Sequence, residues 1–280
     1  MGYRIVQQME DKTAPPKTGR EERRRFLRCL LTVMGGVFLP PAGRVFANPH
    51  MGKMGTPGTG KEFVFAQLAY EGGVWNPEPT AAGNLLRELV ASTSVDAFPE
   101  PVSLSLDSPD LFSHPFLYMA GTGDFRPLGE EEVLRLRKYL KAGGTLVGDD
   151  CAGTPGYGFD AAFRREMARV LPGTVMERLP SDHTVFRAFF LVRGMGGRRI
   201  VSPFLEGISL GRRTPVIYSQ NSLAGAWAKD HLGRWLHPTE PGGERQRRLA
   251  FHIGVNIIMY ALCADYKQDR IHLPFLRQKI

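Results

Sequence analysis

Cysteine is scarce in this chain: its 280 residues contain only Cys29, Cys151 and Cys263. None of them forms a CxxC pair, which excludes the common iron–sulfur, c-type haem and thioredoxin-like motifs. The spacing of Cys151 and Cys263 does not predict a disulfide, although an oxidising compartment would allow one. The fold must therefore depend on a hydrophobic core, and 42% apolar residues is an ordinary content for a globular protein.

A strongly basic surface is also missing from most of the chain. The formal net charge is +8, but residues 1–47 carry nine Lys or Arg and four acids. The other 233 residues carry 27 basic and 24 acidic side chains, with no obvious basic stripe. The distribution of charge therefore removes the main argument for a nucleic-acid partner.

The basic start of the chain is typical of an export signal. Residues 22–28 (ERRRFLR) precede a moderately apolar run at 29–43, which is too short and too rich in glycine to span a bilayer comfortably. Arg23-Arg24-Arg25-Phe26-Leu27 resembles the twin-arginine signal, and Val45 and Ala47 are small enough for signal peptidase. A basic N-terminus beside a short core helix is the alternative. We predict a signal peptide at 1–47, a flexible linker at 48–61 and a single periplasmic α/β domain at 62–280, with no membrane span after cleavage.

The glycine-rich stretch GTPGTGKEF (55–63) is one residue short of a phosphate-binding loop. Gly55, Gly60 and Lys61 fit the G-x-x-x-x-G-K-[ST] pattern, but Glu62 replaces the hydroxyl that would hold Mg²⁺. The motif also needs a preceding strand and a following helix, whereas a Gly/Pro-rich stretch precedes it and a strand-like segment follows. We expect a linker that binds no nucleotide.

Strand-like and helix-like segments alternate after residue 62, which predicts a mostly parallel sheet covered on both faces. Strands are predicted at 63–70, 102–106, 115–121, 145–151, 184–192, 199–210 and 214–219. Helices are predicted at 81–93, 129–144, 159–171 and 244–266. On the last helix, Gly254 and Asn256 are expected to serve close packing and a buried hydrogen bond.

Ligands of open α/β sheets bind beyond the carboxyl ends of the strands. The predicted ends carry Gly121, Asp149, Asp150 and Cys151, and we expect these residues to line one cleft. His183 is expected near the same edge, and Glu206 is a further candidate. Asp149, Asp150 and His183 are the candidate metal ligands, because two close carboxylates favour a cation.

Cys151 allows two interpretations. As a nucleophile it would need a base such as His183 and an orienting acid such as Asp182 or Glu206. As a small buried thiol it would pack against the sheet and be inert. The aspartate pair is likewise either an ionic site or a pair of caps. The stretch HPTE (237–240) suggests the His-Pro-Glu of amidotransferases, but the inserted threonine displaces the carboxylate, and its flanks are typical of an exposed loop.

Many short blocks resemble the domain family of unknown function DUF4159, including FAQLAYEGG, HPFLYMAGTGDF, YLKAGGTLVGDDC and LPSDHTVFRAFF. The resemblance covers roughly residues 62–275. It implies a flavodoxin-like, class I glutamine amidotransferase-like three-layer sandwich with a mostly parallel central sheet. Asp149 then stands where amidotransferases have the first glycine of their G-x-C-x-G elbow, and aspartate does not readily adopt that strained backbone.

The resemblance carries over no reaction, catalytic residue or cofactor. One hypothesis is a non-catalytic module of the cell envelope that binds a small molecule or an envelope protein at the strand ends. The alternative is a hydrolase or amidotransferase-like enzyme that uses Cys151 or the two carboxylates.

Overall fold

A computed structural model describes residues 62–276, with side chains to residue 263. The predicted signal peptide, the linker and most of the GTPGTGKEF stretch lie outside the described residues. Their assignments stay predictions.

Seven strands form one mixed sheet in the order β2-β1-β3-β4-β7-β6-β5. The first five strands in that order are parallel, β6 runs antiparallel to β7, and β5 runs antiparallel to β6. The predicted α/β class with a mostly parallel sheet is therefore confirmed, and the antiparallel part lies at one edge. The strands are β1 Ala66–Leu68, β2 Val102–Leu104, β3 Phe116–Gly121, β4 Thr145–Asp150, β5 Glu177–Arg178, β6 Glu206–Leu210 and β7 Arg213–Ser219.

Helices cover both faces of the sheet. They are α1 Ala81–Ser92, α2 Glu130–Ala142, α3 Gly158–Val170, α4 Leu223–Trp227 and α5 Gly243–Leu276. One apolar core joins α1, α4 and α5 to the face that carries Phe65 and Val147. The other joins α2 and α3 to the face that carries Leu117 and Leu146. Residues adjacent along a strand therefore enter different cores, as the strand pleat requires.

The central strands and α2 follow directly from their sequences. Every residue of β3 and β4 is buried, which agrees with the continuous apolar run predicted for a strand covered on both faces. Helix α2 begins with three glutamates, and the Glu132 carboxylate accepts the Gly129 N–H at 2.6 Å. The helix ends at Gly143, whose φ of 129° is accessible to glycine without a steric penalty.

The prediction of a strand at 184–192 is wrong. Thr184–Arg187 forms a short 3-10 helix, which begins where the His183 ring accepts the Val185 N–H at 3.2 Å. Farther on, the buried Asn256 side chain accepts the Phe189 and Phe190 N–H groups and donates to the Phe190 carbonyl. Side chains thus satisfy backbone groups that a sheet would otherwise have paired.

Helix α5 begins within a residue of its predicted start and runs longer than expected. Its Gly254 permits close packing, because a Cβ there would lie 2.7 Å from atoms of both Leu85 and Trp227. The predicted roles of Gly254 and Asn256 are therefore confirmed. Among the described helices, α5 included, none has a stretch long and apolar enough to cross a membrane.

Candidate functional site

Asp149, the residue before the last in β4, is a buried carboxylate that accepts several hydrogen bonds. Its Oδ1 accepts the Leu223 N–H at 2.9 Å, and its Oδ2 accepts the Ala224 N–H at 2.8 Å and the Tyr118 hydroxyl at 2.7 Å. Asp149 therefore caps the start of α4 and fixes it to the sheet. Burial raises the pKa of Asp149 to about 6 although these hydrogen bonds act in the opposite direction.

Cys151 lies on the same face of the sheet as Asp149, and the residue is 4% exposed. Its Sγ is 3.6 Å from Asp149 Oδ2 and 3.7 Å from the Asp149 carbonyl oxygen, so the thiol is a weak donor to this residue. Burial, and next the negative charges of Asp149 and Glu78, raise the pKa of Cys151 well above its usual value. A thiol in this environment is protonated at neutral pH and is a poor nucleophile.

Asp150 points toward the opposite face from Asp149, because consecutive strand residues alternate. Its carboxylate accepts three N–H groups of the following loop, those of Ala152, Gly153 and Thr154, at 2.9 to 3.2 Å. Burial raises the pKa of Asp150 despite these bonds. The two aspartates therefore cap different segments, and they do not point into a single cleft.

Glu206 belongs to a polar network on the side of α3. Both of its carboxylate oxygens accept hydrogen bonds from the guanidinium of Arg164, which also donates to Asp160 at 2.8 Å. Asp160 further accepts from the Tyr218 hydroxyl and from the Gln220 side chain, each at 2.9 Å. Burial alone would raise the pKa of Asp160, but these donors and the Gly156 N–H lower it. The network joins α3 to β6 and β7.

His183 lies toward the opposite end of the sheet. Its Nε2 is 3.0 Å from the Thr214 hydroxyl, near the start of β7, whereas Asp149 is paired with Ser219 near the end of that strand. At about 3.3 Å per residue, Thr214 and Ser219 are roughly 16 Å apart. Burial lowers the pKa of His183, so the ring is neutral at pH 7. The shared site expected for His183 and the two aspartates is therefore not assembled.

Gly121 has a packing role at this edge. A Cβ at this position would lie 2.3 Å from the Phe159 ring and 2.4 Å from the Tyr70 hydroxyl oxygen. The absence of a side chain thus lets the two aromatic groups cover the end of β3. No group of three or more His, Cys, Asp or Glu side chains that could hold a metal ion occurs among the described residues. Whether any of the six candidate residues binds a ligand stays a prediction.

A small cavity missed by the sequence analysis lies on the other side of β3, between β1, β3 and the helices α1 and α4. Its volume, counted as the space that the centre of a water molecule can occupy, is about 10 Å³, which is room for about one water. Its polar lining comes from Gln67, Asn76, Glu78, Tyr118 and Trp227. The indole N–H of the buried Trp227 has no hydrogen-bond partner among the described residues.

The carboxylate of Glu78 is positioned at this cavity by a second residue that the sequence analysis set aside. Glu78 Oε1 is 2.7 Å from His237 Nε2, across 159 positions of sequence. Burial and then the Asp149 charge are the main causes that raise the pKa of Tyr118 and of Cys151. The Glu78 charge adds to both shifts, so the cavity and the Asp149–Cys151 pair share one electrostatic environment. The HPTE stretch thus supplies a partner for Glu78, and only the fold could reveal this pairing.

The cavity is lined by Glu78, whose carboxylate is a hydrogen-bond acceptor, and by Trp227, whose buried indole N–H is a donor without a partner among the described residues. These residues can hold one small group that both donates and accepts hydrogen bonds, such as a water molecule or a hydroxyl.

Comparisons with known proteins give one family. Residues 64–262 match the model of the domain of unknown function DUF4159. A search of curated proteins finds no match.

Proposed function

The chain belongs to the DUF4159 family, and from this premise we propose that its domain is a non-catalytic module that binds a small ligand through a hydroxyl group seated in the cavity between β1 and β3. The observation that carries the proposal is that Trp227, whose buried indole N–H has no partner among the described residues, lines this cavity together with Glu78. Leaving a buried donor unpaired costs about 1–3 kcal/mol, which a ligand or a water would recover.

The position of the cavity supports this proposal. In the sheet, β2 lies on one side of β1 and β3 lies on its other side. The order of strands along the sheet therefore reverses between β1 and β3. Open α/β sheets bind ligands at such a reversal, beyond the carboxyl ends of the strands. Asn76 and Glu78 come from the loop that follows β1, as this rule expects.

The state of the nearby ionisable groups favours binding over turnover. The Cys151 thiol has a raised pKa, and the neighbouring Asp149 carboxylate is already engaged by two backbone N–H groups and the Tyr118 hydroxyl. Neither group has the lowered pKa of an activated nucleophile or a free basic oxygen directed at a substrate.

We further propose that the fold is the flavodoxin-like sandwich of the class I glutamine amidotransferase-like group. The five parallel strands follow the order β2-β1-β3-β4-β7, which is the 2-1-3-4-5 order of flavodoxin-like sheets. The antiparallel β6 and β5 extend this core at one edge. We also propose that the protein acts in the periplasm after twin-arginine export, which the sequence of residues 22–47 supports.

Calorimetry and thermal-shift measurements with small alcohols, whose hydroxyl group is about the size of a water molecule, test the binding function. We expect a saturable ligand whose affinity falls about tenfold in Trp227→Phe, which removes the N–H and keeps an aromatic ring, and also in Glu78→Gln. Trp235→Phe is the matched control, because Trp235 does not line this cavity. Circular dichroism would establish that each variant is folded. Turnover of any bound compound, or an equal loss of affinity in all three variants, would contradict the proposal.

A further inference from the structure

A second, larger groove lies between α1 and α5 and shares no lining residue with the cavity described above. Its volume, counted as the space that the centre of a water molecule can occupy, is about 390 Å³, which is within the range of small-molecule sites. Both helices contribute residues at i, i+3, i+4 and i+7 spacing, so one stripe of each helix forms a wall. The stripes are Asn84, Arg87, Glu88 and Ala91 on α1 and Glu244, Arg247, Arg248 and Phe251 on α5.

An aromatic side chain closes this groove. Trp235 lies on the chain between α4 and α5, paired with Lys229 in an antiparallel bridge. The Lys229 Nζ and the Arg247 Cζ are each 4.2 Å from its ring centroid, and the Phe251 ring is 5.9 Å away. Trp235 remains 38% exposed, so a bound molecule can contact its ring.

The charge of the lining is unbalanced toward cations. Arg87, Lys229, Arg247 and Arg248 oppose two carboxylates, and one of these, Glu244, is already paired with Arg247 at 3.0 Å. Arg87 donates to the Asn84 side chain within its own helix, and neither Arg87 nor Arg248 forms an ion pair with a described carboxylate. Both arginines are exposed. Two uncompensated guanidinium groups on opposite walls favour an anionic occupant, because each can bind a carboxylate through two N–H groups.

We propose that this groove is a binding site for a small anionic ligand that carries carboxylates on an apolar ring. The arginines of the two walls bind the carboxylates, and Trp235 and Phe251 contact the ring. A helix with its side chains is about 10–12 Å wide, so a polypeptide helix needs more space than this groove provides. The inference does not depend on the proposed function of the Glu78 cavity.

The test uses the full chain with phthalate as the probe and tryptophan fluorescence and calorimetry as readouts. We expect saturable binding that quenches fluorescence, with about tenfold lower affinity in Arg87→Gln and in Arg248→Gln. Arg212→Gln is the matched control, an exposed arginine in the turn between β6 and β7, and we expect it to bind phthalate as the unaltered chain does. Trp235→Phe should remove most of the fluorescence change while calorimetry still detects binding.

Four outcomes would overturn the inference. Absence of saturable phthalate binding would exclude the site. Equal binding of the neutral phthalamide would show that the arginines do not select an anion. An equal loss of affinity in Arg212→Gln would show that phthalate responds only to overall charge. Binding of an acidic peptide without phthalate binding would assign the groove to a polypeptide and reject the small-molecule site.

Discussion

At the scale of single residues, burial decides the chemistry at the end of β4. Asp149 and Cys151 were both predicted at this strand end from the sequence, since an acid pair and a cysteine follow a continuous apolar run. Their partners were not predictable, because Leu223 and Ala224 are more than 70 positions away along the chain. In the structure, Asp149 is a capping carboxylate and Cys151 is a neutral thiol, which differs from a nucleophile beside its base.

Alkylation rates of the two cysteines in the domain test this description of Cys151. We expect iodoacetamide at pH 7.5 to modify the exposed Cys263 at least about a hundredfold faster than Cys151, because only the thiolate reacts and burial both protonates and shields the Cys151 thiol. Mass spectrometry of tryptic peptides measures both rates in one sample, so Cys263 is the internal control. Faster modification of Cys151 than of Cys263 would contradict the inert thiol and favour the enzyme hypothesis.

At the scale of elements, the sequence was informative where hydrophobic periodicity and local capping agree. Strands β3 and β4 and helices α1, α2 and α3 all lie within two residues of their predicted bounds. The segment 184–192 misled the prediction because its apolar and β-branched residues are typical of a strand, whereas they lie in a 3-10 helix and a loop in which only Val185, Phe186 and Val192 are buried. The hydrogen bonds that hold this loop come from Asn256, which lies 66 and 67 residues away on α5.

Replacing Asn256 measures how much of the fold depends on this side chain. Asn256→Leu keeps the branched shape of the side chain and leaves two N–H groups and one carbonyl of a partly buried segment without this partner. At about 1–3 kcal/mol for each unpaired group, we expect the free energy of unfolding to fall by roughly 3 kcal/mol or more. Arg245→Leu, at an exposed position on the same helix, should change it by less than about 0.5 kcal/mol. Urea denaturation followed by circular dichroism gives both values, and a similar small effect in Asn256→Leu would show that another group holds the loop.

At the scale of the whole molecule, the sheet separates residues that the sequence placed together. The strand pleat sends Asp149 and Asp150 to different faces, and the length of β7 separates His183 from both. The fold instead brings Glu78 and His237, two residues from distant loops, to the reversal between β1 and β3. The position of a site could thus be predicted from the fold class, whereas its residues depended on loops without a sequence signal.

The whole-molecule prediction that remains is export. Arg23, Arg24 and Arg25 precede Phe26-Leu27 and a weakly apolar run, and the twin-arginine pathway selects its cargo by the arginine pair rather than by charge alone. We expect the Arg23→Lys, Arg24→Lys, Arg25→Lys triple variant to remain in the cytoplasm as the uncleaved precursor, although its charge is unchanged.

The matched control changes three other arginines of the same segment to lysine, Arg4, Arg20 and Arg44, and should still be exported. Cell fractionation with immunoblotting locates each variant, and the intact mass of the exported form tests cleavage after Ala47. Export of the first variant at the normal level would show that positive charge before the apolar run is sufficient, and the twin-arginine route would be wrong. Retention of both variants would mean that lysine is not tolerated anywhere in the segment, which would remove the arginine pair as the cause. Only retention of the first variant with export of the second assigns the signal to Arg23–Arg25, and through it a periplasmic location to the α/β domain.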